Sequence, residues 1–172
     1  MATSLDIPKK GDYIVHTVHG VGKVMGVEEK EIGGKKKRLF KVKTSLYTYW
    51  IPVNAICQEK VRKVCSPRTF QNMLSLIRKK PEEIAEQYGR KKRKVTTTLV
   101  DSSLSTKARL IRDLHGCQVR RELNFNDQMM LEKLKQQFVE EWAVASGLKK
   151  SLIMKKLEDA LEESAEKIIG AS

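Results

Sequence analysis

The chain has 172 residues, 40% of them hydrophobic and 32% charged, with a formal net charge of +13. That is enough for one domain or two small ones with packed cores, and no run approaches the ~20 apolar residues a membrane span requires. Met1–Asp6 holds no cationic segment followed by an apolar core, so no secretory signal is read, and a cytoplasmic protein with no membrane partner is expected.

Residues 8–65 read as a small all-β unit. Gly11-Asp12 opens a turn before a strand at Tyr13–His16. His19-Gly20-Val21-Gly22 reverses the chain, and Val21–Ile32 runs back to Gly33-Gly34, a hairpin signal because both residues tolerate positive φ. Arg38–Thr44 alternates as a half-buried strand with a basic outer face. Tyr47–Val53 and Val61–Cys65 complete five short strands, which predict a small barrel of the SH3 or Tudor type. Within Tyr49-Trp50-Ile51-Pro52-Val53, Pro52 cannot donate to a ladder, so the strand belongs at an edge. An edge bearing a large ring is a place where a partner could add a strand. Trp50 covering the barrel mouth or packing on the helical domain is the competing reading.

The period changes from two to 3.6 at Ser66-Pro67, a cap followed by a first-turn proline. Phe70, Met73, Leu74 and Ile77 mark the inner face of the first helix. Pro81 predicts the start of a second, with Glu82 and Glu83 in the first turn and Ile84 and Tyr88 four apart. A third begins near Ser103, with Leu104, Ala108, Ile111 and Leu114 inward. Asn124 caps a fourth, whose stripe is Phe125, Leu131, Leu134, Phe138, Trp142 and Ala145 and whose end is Gly147. Leu152–Ile169 gives the fifth, with Ile153, Leu157, Leu161 and Ile168 at helical spacing. The expected fold is α+β: a β-barrel over 1–66 followed by an all-α bundle of about five helices over 67–172.

Nothing here calls for catalysis or a cofactor. His16 and His19 lie three apart, but no nearby set completes the three or four ligands zinc needs, so no metal is expected. Gly20-Val21-Gly22 lacks the third glycine and the helix of a phosphate loop. His115, the Met129-Met130 pair and Trp142 read as packing residues. Cys57, Cys65 and Cys117 read as reduced thiols.

The charge is the strongest functional signal. Residues 1–100 hold 22 Lys/Arg against 9 Asp/Glu, and residues 101–172 hold 12 against 12. At the centre is Tyr88-Gly89-Arg90-Lys91-Lys92-Arg93-Lys94, one aromatic ring before five consecutive cations. Such a run cannot bury itself and repels itself unless a polyanion or acidic side chains lie against it. A nucleic-acid partner is the first reading. A solvated helix face is the bland one, and Arg90–Val95 also fits a nuclear-import pattern.

Four stretches in order resemble the CarD/CdnL family of bacterial transcription regulators. They are Gly11–Val15 with His19–Gly22, Trp50–Ala55, Ala108–Leu114 and Leu123–Lys133. The resemblance spans about residues 8 to 165. It implies a non-enzymatic protein without small-molecule substrate, whose Tudor-like N-terminal domain binds the RNA polymerase β subunit. The same module occurs in the transcription-repair coupling factor. It implies further that the helical domain contacts promoter DNA at the upstream edge of the melted bubble, where a tryptophan wedges into the minor groove.

Carried onto this chain, the wedge position is Tyr88, preceded by Gln87 and followed by Arg90 and Lys91, with Arg93 and Lys94 extending the DNA-binding set. The polymerase-binding set is Lys30, Val42, Trp50 and Pro52. Tyr88 stands where the family has tryptophan, Gln87 where it has asparagine, Trp50 where some members have a basic residue, Thr17 where it has proline, and Gln128 where it has lysine. Two other readings stay open: an architectural nucleic-acid-binding protein without polymerase contact, and an adaptor whose basic run meets an acidic partner.

Overall fold

The computed structural model describes residues 7–57, 61–83, 103–121 and 123–170. The chain divides into two units, Met1–Val64 and Cys65–Ser172.

The first unit is an antiparallel sheet of five strands: β1 (Tyr13–His16), β2 (Gly20–Ile32), β3 (Lys35–Lys43), β4 (Thr48–Pro52) and β5 (Val61–Lys63). Its order is β4-β3-β2-β1-β5. Gly33 and Gly34, at φ 62° and 74°, make the two-residue turn that joins β2 to β3. That turn sets the register from Ile32↔Lys35 to Lys23↔Lys43, interrupted by a bulge between Val24 and Gly26. Alternation then sends Phe40 and Val42 inward with Ile14, Val24 and Ile51, where Ile56 and Val61 complete the core.

Closure of the expected barrel is not seen among the described residues: the five strands pair as one sheet, with β4 and β5 at its two ends. β4 ends at Pro52, which has no N–H to extend a ladder, and the chain passes into a 3-10 helix at Val53–Cys57. β5 is only three residues long. The 3-10 turn was not legible as such, because Val53 and Ile56 read equally well as the end of a strand.

The second unit contains four described helices: α1 (Pro67–Ile77), α2 (Leu104–Arg120), α3 (Phe125–Ser146) and α4 (Lys150–Ile169). Ser66, Ser103 and Asn124 cap the first three, each accepting a backbone N–H from three residues on. Gly147 ends α3 in the left-handed region at φ 72°. Phe70, Phe138 and Trp142 form the aromatic centre: Phe70 stacks on Trp142 at 5.5 Å, and Phe138 meets both edge-on. Leu110, Ile111, Leu114, Ile153, Leu157 and Leu161 surround them.

Three helical expectations change. Four helices rather than about five are present among the described residues. Pro81, Glu82 and Glu83 are not helical, and the rest of the second predicted helix, from Ile84 on, lies outside the described residues. Phe125 is 73% exposed and Met129 57% exposed, not core. Phe125 is the first helical residue of α3, and contact with the core begins only at Met130 and Leu131.

Candidate functional site

Two places gather the residues that the sequence singles out. The first is the outer face of the sheet beside β4, which is an edge strand. Alternation along β4 buries Ile51 and turns Trp50 and Pro52 outward, both exposed. Trp50 lies opposite Lys41 across the ladder. Its indole N–H donates to Glu28 Oε2 at 2.9 Å, Lys41 Nζ sits 3.3 Å from the other oxygen of that carboxylate, and Lys30 Nζ lies 3.5 Å from the ring centre. The indole first, and then Lys41, hold the Glu28 carboxyl below the usual carboxylate range. Lys30, Trp50 and Pro52 are therefore surface residues of one region.

Val42, the fourth of that set, is corrected: it is fully buried, so it offers no surface to a partner. Its role is packing. A Cβ on Gly22 would lie 2.6 Å from Val42 Cγ1, so the β2 backbone comes this close only because residue 22 has no side chain. Glu28 and Lys41 were missed. Counting pairs back from Gly33-Gly34 would have placed Lys41 and Glu28 on the face of Trp50.

The second place is the segment Arg78–Glu83, which leads from α1 toward the basic run. Ser164 Oγ donates to the Lys79 carbonyl at 2.7 Å, and Lys167 Nζ donates to that of Arg78. Arg78 Nε meets Glu163 at 3.3 Å. Pro81 is buried against Gly116 of α2, where an added Cβ would lie 2.4 Å from the proline Cβ. The backbone N–H of Glu82 donates to Asp113 Oδ1 at 3.0 Å, and Arg112 Nε donates to the same oxygen at 2.8 Å. Arg112 and Asp113 are 3% and 1% exposed, a buried ion pair whose outer arm reaches Glu82 Oε1 at 3.6 Å. Five side chains from α2 and α4 thus hold Arg78, Lys79 and Glu82, and Gly116 seats Pro81. Their signal in the sequence was Asp113 itself, a charge on the Leu110-Leu114-Cys117 stripe of α2.

Gln87, Tyr88, Arg90, Lys91, Arg93 and Lys94 lie outside the described residues. What is described is the anchored segment that ends four residues before Gln87.

The remaining candidates fall as follows. The rings of His16 and His19 lie 4.6 Å apart, tilted by 36°, and His16 Nδ1 accepts the backbone N–H of Val18 at 3.0 Å. His19 Nδ1 lies 2.8 Å from the Tyr47 hydroxyl. The described residues contain no cluster of three or more metal-ligating side chains. Burial pushes the Tyr49 phenol upward, and its hydroxyl has no hydrogen-bond partner. Cys117 is a buried free thiol, whose sulfur lies 3.5 Å from Arg121 Nε. Among the described residues no helix is long and apolar enough to cross a membrane.

His115 is a packing residue but not a satisfied one, since its buried Nδ1 has no partner. Burial, and then the Lys135 ammonium, lower its pKa below 6.5. The folded state therefore holds fewer protons than the unfolded chain just below pH 6.5, so stability is complete above that pH and is lost as pH falls through the folded value. Denaturant midpoints across that interval are expected to decline toward acid, and His115→Gln is expected to flatten the decline. A slope unaffected by His115→Gln would assign it to another group.

Comparison with known proteins follows the same division. Residues 9–65 match the family model of the CarD-like/TRCF RID domain, and residues 72–158 match that of the CarD C-terminal domain. Over 140 residues the chain is 22% identical to the "Putative transcription factor YdeB" of Bacillus subtilis (strain 168), covering 80% of this chain and 92% of that protein. With both of its units matched in order, the chain belongs to the CarD-like family of transcription regulators.

Proposed function

We infer that this chain binds the RNA polymerase β subunit through its N-terminal domain, residues 1–66, and stabilises the open promoter complex through its helical domain, residues 67–172. The DNA contacts assigned are those of Gln87, Tyr88, Arg90, Lys91, Arg93 and Lys94, made without reading sequence. The observation that carries this reading is the match of both units, in order, to the two CarD domain models. The open edge at β4, with Trp50 and Pro52 outward and Lys30 beside the ring, supports β4 as the polymerase-docking edge. The anchored segment Arg78–Glu83 supports the DNA role, because it leads into Tyr88 and the cations from a fixed point. Docking on polymerase raises the local concentration of these residues at the promoter. Contacts made only after melting then lower the open state relative to the closed one. No step of this function calls for a reaction.

The test separates duplex affinity from open-complex lifetime. A ring that wedges at an unstacked step contributes only where the DNA is kinked or open. Tyr88→Ala is expected to leave intact-duplex binding nearly unchanged and to shorten the half-life of the open promoter complex roughly 5- to 150-fold, the equivalent of about 1–3 kcal/mol and the scale of one base–aromatic contact. Equal losses on duplex and open DNA, with a lower melting temperature, would make Tyr88 a packing residue. Failure of the unaltered chain to bind the isolated β-lobe would instead favour an architectural DNA-binding protein.

A further inference from the structure

Alternation along the sheet puts six lysines on the face opposite the core. Lys35, Lys37, Lys41 and Lys43 share one side of β3, and the register adds Lys23 and Lys30 from β2. Two of the resulting cross-strand pairs, Lys23↔Lys43 and Lys30↔Lys37, place like charges directly opposite each other. Such pairs destabilise a sheet in isolation. The described acid on this face of β2 and β3 is Glu28, which is already engaged by Trp50 and Lys41. Lys35, Lys37 and Lys43 are exposed and make no ion pair among the described residues.

A face that retains opposed ammonium groups and spends its one acid internally is complementary to a ligand of uniform negative charge. Lys35 and Lys37, and again Lys41 and Lys43, are about 6.8 Å apart along β3, with the buried Leu39 between the two pairs, and Lys35 to Lys43 covers about 27 Å. The two rings on this face are not offered for base stacking. Lys30 lies over Trp50, and Lys23 lies 5.9 Å from the Tyr13 ring centre. With a lysine beside each ring, stacking of single-stranded bases competes with these contacts, whereas a duplex backbone requires only ammonium groups. We propose that the outer face of the sheet, through Lys23, Lys35, Lys37 and Lys43, is a second DNA surface that holds the phosphate backbone of duplex DNA. It adjoins the edge assigned to polymerase.

The experiment measures binding of the full chain to a mixed-sequence duplex, and to one of its single strands, over a series of KCl concentrations without polymerase. The variant is Lys35→Gln, Lys37→Gln and Lys43→Gln combined. Its slope of log Kobs against log[KCl] on the duplex is expected to be shallower by about 2–3 units, roughly 0.9 for each lost phosphate contact. The loss is expected to add to that from neutralising Arg90, Lys91, Arg93 and Lys94, and binding to the isolated β-lobe is expected to be unchanged. Should the triple variant melt early, the single variants Lys35→Gln and Lys37→Gln carry the test, each at about one unit. An unchanged duplex slope overturns the proposal and makes the face a solvated one. An unchanged duplex slope with weakened lobe binding assigns it to an acidic protein surface, and a loss confined to the single strand also overturns it. Because lobe binding is measured alongside, failure of this surface is distinguishable from failure of the polymerase-docking reading.

Discussion

Asp113→Ala is expected to destabilise the helical unit by about 3–5 kcal/mol, the cost of leaving one member of a buried ion pair without the other. The substitution leaves Arg112, which is 3% exposed, with the exposed Glu82 carboxylate at 3.6 Å in place of its buried partner, and removes the acceptor shared by Arg112 Nε and the Glu82 N–H. Removing both charges together, as Arg112→Met with Asp113→Leu, is expected to cost much less, because no charge then remains buried. Trp142 is the natural probe, since it is buried in the helical core and stacked on Phe70. In a Trp50→Phe background its fluorescence follows that unit alone through urea unfolding. A loss under about 1 kcal/mol for Asp113→Ala would mean that water reaches Arg112 and that the pair contributes little.

Trp50→Glu is expected to weaken binding to the polymerase β-lobe by about 2–4 kcal/mol, the range of an aromatic hot spot. The change removes the ring under Lys30 and sets a second carboxylate beside Glu28. Trp50→Phe keeps the ring and loses only the donated hydrogen bond, so it is expected to retain most of the affinity. Since Trp50 is 40% exposed and outside the core of the sheet, the melting temperature is expected to change little. Lobe binding by Trp50→Glu at full strength would move the docking edge away from β4, toward β5 at the other end of the sheet.

The sequence and the structure agree where local chemistry alone decides. Gly33-Gly34 sets the long hairpin, Ser66-Pro67, Ser103 and Asn124 start helices, and Gly147 stops one. Pro52 marks β4 as an edge for a reason confined to that residue, its missing N–H. Agreement fails where the answer depends on what lies opposite. Phe125 is as apolar as Phe138, yet nothing in the described bundle covers it, and the pattern of α3 cannot supply that fact. Val42 alternates correctly with Lys41 and Lys43, so its burial was legible from period alone and its assignment to a surface was the error. Asp113 was legible as a charge on the apolar stripe of α2, and the Arg112-Asp113 pair as part of a family-like stretch. Its role as an anchor for Glu82 depends on a contact between residues 31 apart in sequence.

The contact of Gly116 with Pro81 has an evolutionary consequence. A side chain at 116 and a proline ring at 81 demand the same volume, so the two positions form a single heritable choice rather than two. Relatives that keep the proline are expected to keep the glycine. Those that carry alanine or larger at 116 are expected to carry a smaller residue at 81, and drift at either position alone is expected to be purged before it reaches the basic run that follows.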